Sequence, residues 1–213
     1  MKFPIFKSIV RTLGEDIYIN SKPYKASLKN STSAVYSLAN RAFYVEGQCE
    51  TGPYEVGDSF TRCCDNKEYC IFTVICEPVS PGLSYIYAAQ YNAKADIYRY
   101  KGKEPDENGD LKDVFELLHE QIPVYCDLVP RTGKNTNDGS MDQSIYTIII
   151  PHKYGVCEHD RIVMKYARDG EYQDTAYMVE AVGNALSDIG GTGIDSLQLS
   201  YDTRNEAENN AEL

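Results

Sequence analysis

From Asp16 to Tyr201 the chain is written in short runs of Tyr, Ile, Val and Thr separated by turn formers, and this rhythm limits the fold more than any other feature. Runs of about four to eight β-branched and aromatic residues bounded by Gly, Pro, Asn and Asp form the small strands of sandwiches and barrels. The aromatic content points the same way. There are 18 Tyr and 6 Phe but no Trp, which suits many strand positions where a ring packs and a hydroxyl stays wet. The spacing predicts strands over 16–20, 23–29, 42–49, 57–64, 69–76 and 83–91, then over 95–100, 121–129, 144–151, 160–166, 174–183 and 195–201. The expected fold is therefore all-β, two small β-barrel or sandwich domains with a short N-terminal helix and one short linker helix.

The N-terminal helix is read over residues 4–13, where Phe6, Ile9 or Val10, and Leu13 recur at helical spacing before Gly14. Asp65-Asn66-Lys67-Glu68 is read as the turn of a tight hairpin. The stretch KGKEPDENGD (101–110) reads as a polar connector into the linker helix at Val114 to Leu118. These elements divide the chain into an N-terminal β domain (1–93), a second β-barrel domain (94–201) and a polar tail (202–213). The halves echo each other. Tyr54 to Phe60, a hairpin ending in Tyr69 to Val74 and the Leu83 to Tyr87 strand have counterparts in Tyr154 to Ile162, Tyr177 to Val182 and Leu197 to Leu199.

A chain of 213 residues can bury a real core, and 42% hydrophobic with 25% charged residues is ordinary for a globular protein. The net charge of −11 opposes tight binding to a phosphate backbone. No apolar run approaches the ~20 residues of a membrane-spanning helix, so no membrane partner is expected. Lys7 and Arg11 interrupt the apolar residues at the amino end, which disfavours a signal peptide. The odd count of seven cysteines favours reduced thiols in an intracellular setting.

Motifs that would carry catalysis fail on spacing. Gly57-Asp58-Ser59-Phe60 matches the nucleophile block of a GDSL-type hydrolase, but none of His119, His152 and His159 has the Asp that would hold it as a base. The block reads as a structural turn. Gly190-Gly191-Thr192-Gly193 precedes a β-like stretch, whereas a phosphate cradle must open a helix. Cys49, Cys63, Cys64, Cys70, Cys76, Cys126 and Cys157 include no Cys-x-x-Cys pair. If residues 65–68 form the turn, Cys63 faces Cys70 across two strands. That thiol pair is open to reduced thiols, a disulfide or half of a metal site. Cys157-Glu158-His159-Asp160 reads as a polar loop, because strand neighbours alternate faces. The acidic residues Asp106, Glu107, Asp110, Glu206, Glu208 and Glu212 read as solvated surface. The expectation is a non-enzyme with no catalytic residues, no metal and no cofactor.

The second half, from IYRYKG through VFELLHEQIPVYCDLVPRTGK and SIYTIIIPHKYGVCEHDRIVMKYARDGEYQDTAYMVEAVGNAL to SLQLSY, resembles the head-closure or head–tail connector proteins of tailed bacteriophages. The carriers are the Asp96 to Tyr100 opening strand, Ile122-Pro123-Val124-Tyr125-Cys126, the acidic turn before Arg161-Ile162-Val163, and Tyr177-Met178-Val179-Glu180. The first half is similar to the small β domains of phage neck and tail-adaptor proteins, so the resemblance covers residues 14–201.

This resemblance implies a virion protein made in the host cytoplasm and built into the neck as a homo-oligomeric ring of six- or twelve-fold order. A portal protein or adaptor would lie above it and a tail or neck protein below, with genomic DNA passing through. A negatively charged channel lets DNA slide, since the duplex carries about one charge per 1.7 Å. The apolar-poor loop 131–143 is the candidate channel or neighbour contact, through Arg131, Thr132, Gly133, Lys134, Asn135, Asn137, Asp138, Ser140, Met141 and Asp142. The other readings are a tail-completion or tail-adaptor protein and a non-viral β module that binds a ligand.

Overall fold

The computed structural model describes residues 5–30, 44–76, 78, 81–127, 146–168, 171–187 and 193–204. By compactness the chain forms two units. One is Met1–Tyr91 with Ile150–Lys153 and Asn184–Asp195, and the other is Asn92–Ile149, Tyr154–Gly183 and Ser196–Leu213. The main break thus falls between Tyr91 and Asn92.

Among the described residues one α-helix, α1 (Ile5–Leu13), precedes six strands: β1 (Glu15–Ile19), β2 (Lys22–Asn30), β3 (Tyr44–Glu50), β4 (Ser59–Arg62), β5 (Glu68–Cys76) and β6 (Leu83–Gln90). The helix buries Val10 and packs on β2 and β3. It stops at Gly14, whose amide donates to the Val10 carbonyl at 2.9 Å. A Cβ there would lie 2.2 Å from that same oxygen, so only glycine fits. Period-two alternation sets the barrel faces, as in β3 and β6, where buried and half-buried residues alternate. Ile17, Ile19, Val45, Phe60, Ile71 and Ile86 fill the interior. The β1–β2 hairpin turns on two residues, Asn20 and Ser21, both at positive φ (48° and 65°). That is the type I′ geometry whose twist matches the flanking strands.

The strands close in the order β1-β2-β3-β6-β5-β4, and β1 returns to β4 through Ile17 opposite Arg62 and Ile19 opposite Phe60. The remaining strands are β7 (Ala93–Pro105), β8 (Leu111–Asp127), β9 (Tyr146–Pro151), β10 (Arg161–Arg168), β11 (Glu171–Ser187) and β12 (Gly193–Tyr201). They close as β7-β8-β9-β12-β11-β10, with β7 returning to β10 through Ile97 opposite Ile162. Numbered within each barrel, both orders are 1-2-3-6-5-4. Each barrel is two three-stranded meanders joined along both sides, which leaves no open sheet edge in the ring of strands. The three sequence echoes fall on equivalent elements, β4 with β10, β5 with β11 and β6 with β12.

Two expectations are corrected. There is no linker helix, because Val114 to Leu118 lie within β8 and the polar stretch 101–110 is the end of a hairpin. Val114, Phe115, Leu117 and Leu118 happen to carry helical spacing, but pairing with β7 decides the conformation. The β4–β5 turn is Cys63–Asn66 rather than 65–68, since Thr61 opposite Glu68 is the last pair and the Arg62 amide donates to the Lys67 carbonyl at 3.0 Å.

Candidate functional site: the ribbon of the second barrel and its root

Among the described residues the two barrels differ clearly between their first and second strands. Where the first uses the two-residue turn Asn20-Ser21, the second runs β7 and β8 on as a two-stranded ribbon to a tip at Asp106–Asp110. β7 pairs with β10 only up to Tyr98, and β8 pairs with β9 only from Tyr125. Between those points each strand has the other as its ladder partner, in a register broken by three irregularities. At the tip, the Gly109 amide donates to the Asp106 carbonyl at 3.0 Å, and Gly109 takes a positive φ of 86°. The Asp106 carboxylate accepts the amides of Asn108 and Asp110 at 2.8 and 2.9 Å. These hydrogen bonds also hold the Asp106 pKa below its ordinary value, against the pull of desolvation.

Three buried aspartates hold the root. Asp96 accepts the Gln121 amide at 2.7 Å, and Gln121 sits at positive φ (55°) in the bulge where β8 leaves the barrel. Asp160, fully buried, accepts the amides of Tyr100 at 3.2 Å and Cys157 at 2.8 Å and forms an ion pair with Arg99 at 2.9 Å. Arg99 also donates to the Gly155 carbonyl at 2.6 Å. Asp202 pairs with Arg161 at 2.7 Å and with Arg204 at 2.8 Å. Burial opposes its charge, but hydrogen bonds from Arg204 and Arg161 prevail and hold its pKa down at about 2.

These arginines reach the ribbon itself. The Arg161 guanidinium lies 3.9 Å from the centroid of Phe115, and that of Arg204 lies 4.9 Å from Phe115 and 5.2 Å from Tyr100. Tyr100 and Phe115 are cross-strand partners in ring contact at 5.5 Å, and the Tyr100 hydroxyl donates to Asp113 at 2.9 Å. The cation–π stack therefore clamps both strands just beyond the barrel. Arg204 completes the clamp by donating to the His159 carbonyl at 3.0 Å.

Sequence reasoning missed this root because its parts lie far apart in the chain and each is ordinary alone. One available signal was Asn108-Gly109 flanked by the Tyr98/Tyr100 and Phe115/Leu117 alternations, a hairpin signature. Asp160 belonged to a stretch read as a polar loop, yet it is fully buried at the root.

The sequence-predicted site residues are dispersed. Loop 131–143, with Arg131 to Asp142, lies outside the described residues, as do Glu206, Glu208 and Glu212. The Cys63–Cys70 pair is not brought together: Cys70 is buried opposite Ser59, and Cys63 is exposed in the turn. Burial raises the Cys70 thiol to about 12 and the Cys49 thiol to about 11. Ser59 of the hydrolase-like block shares a hydrogen bond with the Tyr91 hydroxyl at 2.8 Å. His119 bonds the Tyr154 carbonyl at 3.1 Å, and His152 lies 2.9 Å from the buried Asp195 carboxylate. Among the described residues no group of three His, Cys, Asp or Glu is placed to hold a metal ion, and no helix is long and apolar enough to cross a membrane. Compared with known proteins, the chain matches no family model, no curated protein and no solved structure.

Proposed function

We propose that the protein is a structural component of the neck of a tailed bacteriophage, assembling as a ring that joins head to tail around the DNA path. The observation that carries this reading is the ribbon: two barrels of one topology differ by an insertion that adds reach and is anchored by buried ion pairs. An arm braced on a closed barrel suits an assembly part that must meet a neighbour in a fixed direction. Charge distribution adds support. Residues 1–41 hold seven basic against two acidic residues, whereas 42–213 hold fourteen against thirty. A largely acidic body with one basic segment repels DNA over most of its surface and leaves a distinct region for a partner.

The test is quantitative mass spectrometry of density-purified phage particles, scoring this chain against portal and capsid proteins. Copy numbers comparable to the portal are the expected result. Absence from particles would remove the reading.

A further inference from the structure

Beyond the barrel the ribbon is two strands wide, a form marginal in water unless something pairs with it or packs on it. Its two edges are built differently. On β7 the outward amide of Tyr100 is taken by Asp160 at 3.2 Å, Lys101 is the extra residue of a bulge, Gly102 stands at a positive φ of 109°, and Pro105 has no amide to offer. Such devices keep an edge strand from pairing with another chain. The edge of β8 has none of them. Residues 111–118 (LKDVFELL) hold no Gly or Pro, and among the described residues β7 is their only ladder partner. This edge ends at His119, whose ring nitrogen lies 3.1 Å from the Tyr154 carbonyl oxygen.

The direction of the β8 backbone follows from the Tyr100 contact. Residues directly opposite one another in an antiparallel pair turn their amides and carbonyls either both inward or both outward. Because the Tyr100 amide points to Asp160, its partner Phe115 turns outward, and by alternation so do Leu111, Asp113 and Leu117. The side chains of these four residues share one face of the ribbon, where Leu111 is 65% and Leu117 47% exposed. Lys112, Val114 and Glu116 share the other face. Lys112 lies 3.3 Å from Asp106 and Glu116 pairs with Lys101, yet the two side chains remain 46% and 59% exposed.

We infer that β8 of one copy pairs antiparallel with β8 of a second copy of this chain, about a two-fold axis at Val114. The stretch is complementary to itself in that register. Leu111 falls opposite Leu117, Lys112 opposite Glu116 and Asp113 opposite Phe115, each twice, and the outward amides and carbonyls of Leu111, Asp113, Phe115 and Leu117 meet one another. A shift of the axis to Asp113 would set Asp110 against Glu116. A shift to Phe115 would set Lys112 against Leu118 and Asp113 against Leu117, so charge and apolar content both select Val114. The two ribbons then form one four-stranded sheet, and the contact closes at two copies. It goes beyond the neck reading and does not rest on it. A two-fold pair has no place in a ring whose faces meet different partners, so the dimer belongs to the protein before assembly.

Sedimentation velocity on the full chain tests the contact. Wild type is expected to reach a dimer and no larger species as concentration rises. Lys112→Glu and Glu116→Lys each set like charges opposite one another at two points and should weaken the dimer about tenfold. The two changes combined in one chain restore both pairs and should restore the dimer, although the local partners Asp106 and Lys101 are still forfeited. An equimolar mixture of the single variants should form a heterodimer. Circular dichroism checks that every variant folds. The register is read with Val114→Cys in a chain whose exposed Cys63, Cys64, Cys76 and Cys157 are replaced by Ser. Cα atoms at a non-hydrogen-bonded pair lie about 4.5 Å apart, so mild oxidation should cross-link the dimer. A folded wild type still monomeric at ~1 mM, the limit of weak affinity, overturns the contact. So do single variants that dimerise like wild type, a folded double variant that stays monomeric, or a dimer that Val114→Cys does not cross-link. Detection of the chain in particles bears on the neck reading alone, so the two fail separately.

Discussion

Asp58 and Asp160 occupy the same place in the two barrels. Each carboxylate accepts the amide three residues earlier, Glu55 at 2.9 Å and Cys157 at 2.8 Å. Each preceding residue, Gly57 or His159, donates its amide to the fifth strand, at Ile71 or Val179, and each aspartate carbonyl accepts an amide back from that residue. Asp160 additionally binds Arg99 and the Tyr100 amide at the ribbon root. A turn that starts a strand in the first barrel has become the ribbon's mooring in the second.

Asp58→Ala is therefore expected to cost about 1 kcal/mol, the loss of one exposed hydrogen bond. Asp160→Ala leaves Arg99 and two amides without their acceptor in a buried setting and should cost about 3–5 kcal/mol. Chemical denaturation of both variants measures the difference. Equal losses would show that Asp160 does no more than its counterpart.

The residue before each aspartate has positive φ, 90° for Gly57 and 70° for His159. Gly57→Ala places a Cβ at positive φ and 2.3 Å from the Gly193 carbonyl oxygen, so it is expected to destabilise by more than the ~1–2 kcal/mol of backbone strain alone. His159→Gly relieves that strain but loosens the unfolded chain, for a net gain of up to about 1 kcal/mol. The Arg204 bond to the His159 carbonyl survives the change. Melting temperatures should move in opposite directions.

Asp202 gives the second unit an acid-sensitive element. Its folded pKa of about 2 lies below the ordinary value of 3.8, so its contribution is complete above that value and is lost as pH falls toward 2. Asp202→Asn is expected to destabilise by about 3 kcal/mol near neutrality, where the two arginines lose their shared acid. It should also flatten the fall in stability between pH 4 and 2. Urea titrations at several pH values would show it, and an unchanged slope would argue against the pairing.

The thiols sort by exposure. Cys63, Cys64, Cys76 and Cys157 are exposed, whereas Cys49, Cys70 and Cys126 are buried. A thiolate-specific reagent should label four cysteines in the native protein and the other three only on unfolding, because burial also raises the pKa values of Cys49 and Cys70. Mass mapping that finds Cys70 labelled under native conditions would contradict the register in which it faces Ser59.

Much of the architecture was legible because barrel strands advertise themselves by alternation. All twelve expected strands have a counterpart, and α1 runs Ile5–Leu13 against an expected 4–13. The errors fall where local pattern is ambiguous. Val114 to Leu118 suits either a helix or a strand, and only the Tyr98–Leu117 and Tyr100–Phe115 pairings decide it. The Cys63–Cys70 pairing failed because Asp65 and Asn66 serve equally well at the end of a turn that begins at Cys63 or at the start of one that begins at Asp65, and moving the turn two residues changes every partner on the hairpin. The root escaped for a different reason. Asp96, Asp160 and Asp202 become one anchor only after barrel closure brings β7, β10 and the end of β12 together.

Closure also sets an order of events during synthesis. Because β1 pairs with β4 and β3 with β6, neither barrel can be finished one strand at a time as the chain emerges from the ribosome. Each first meander must wait, with both outer strands adhesive, until the second has been made. In the second barrel the β7–β8 ribbon need not wait, since its two strands are neighbours in sequence and a hairpin forms in about 1–10 μs. The ribbon is thus the first part of its barrel able to take shape, ahead of the closed ring of strands that will later hold it in place.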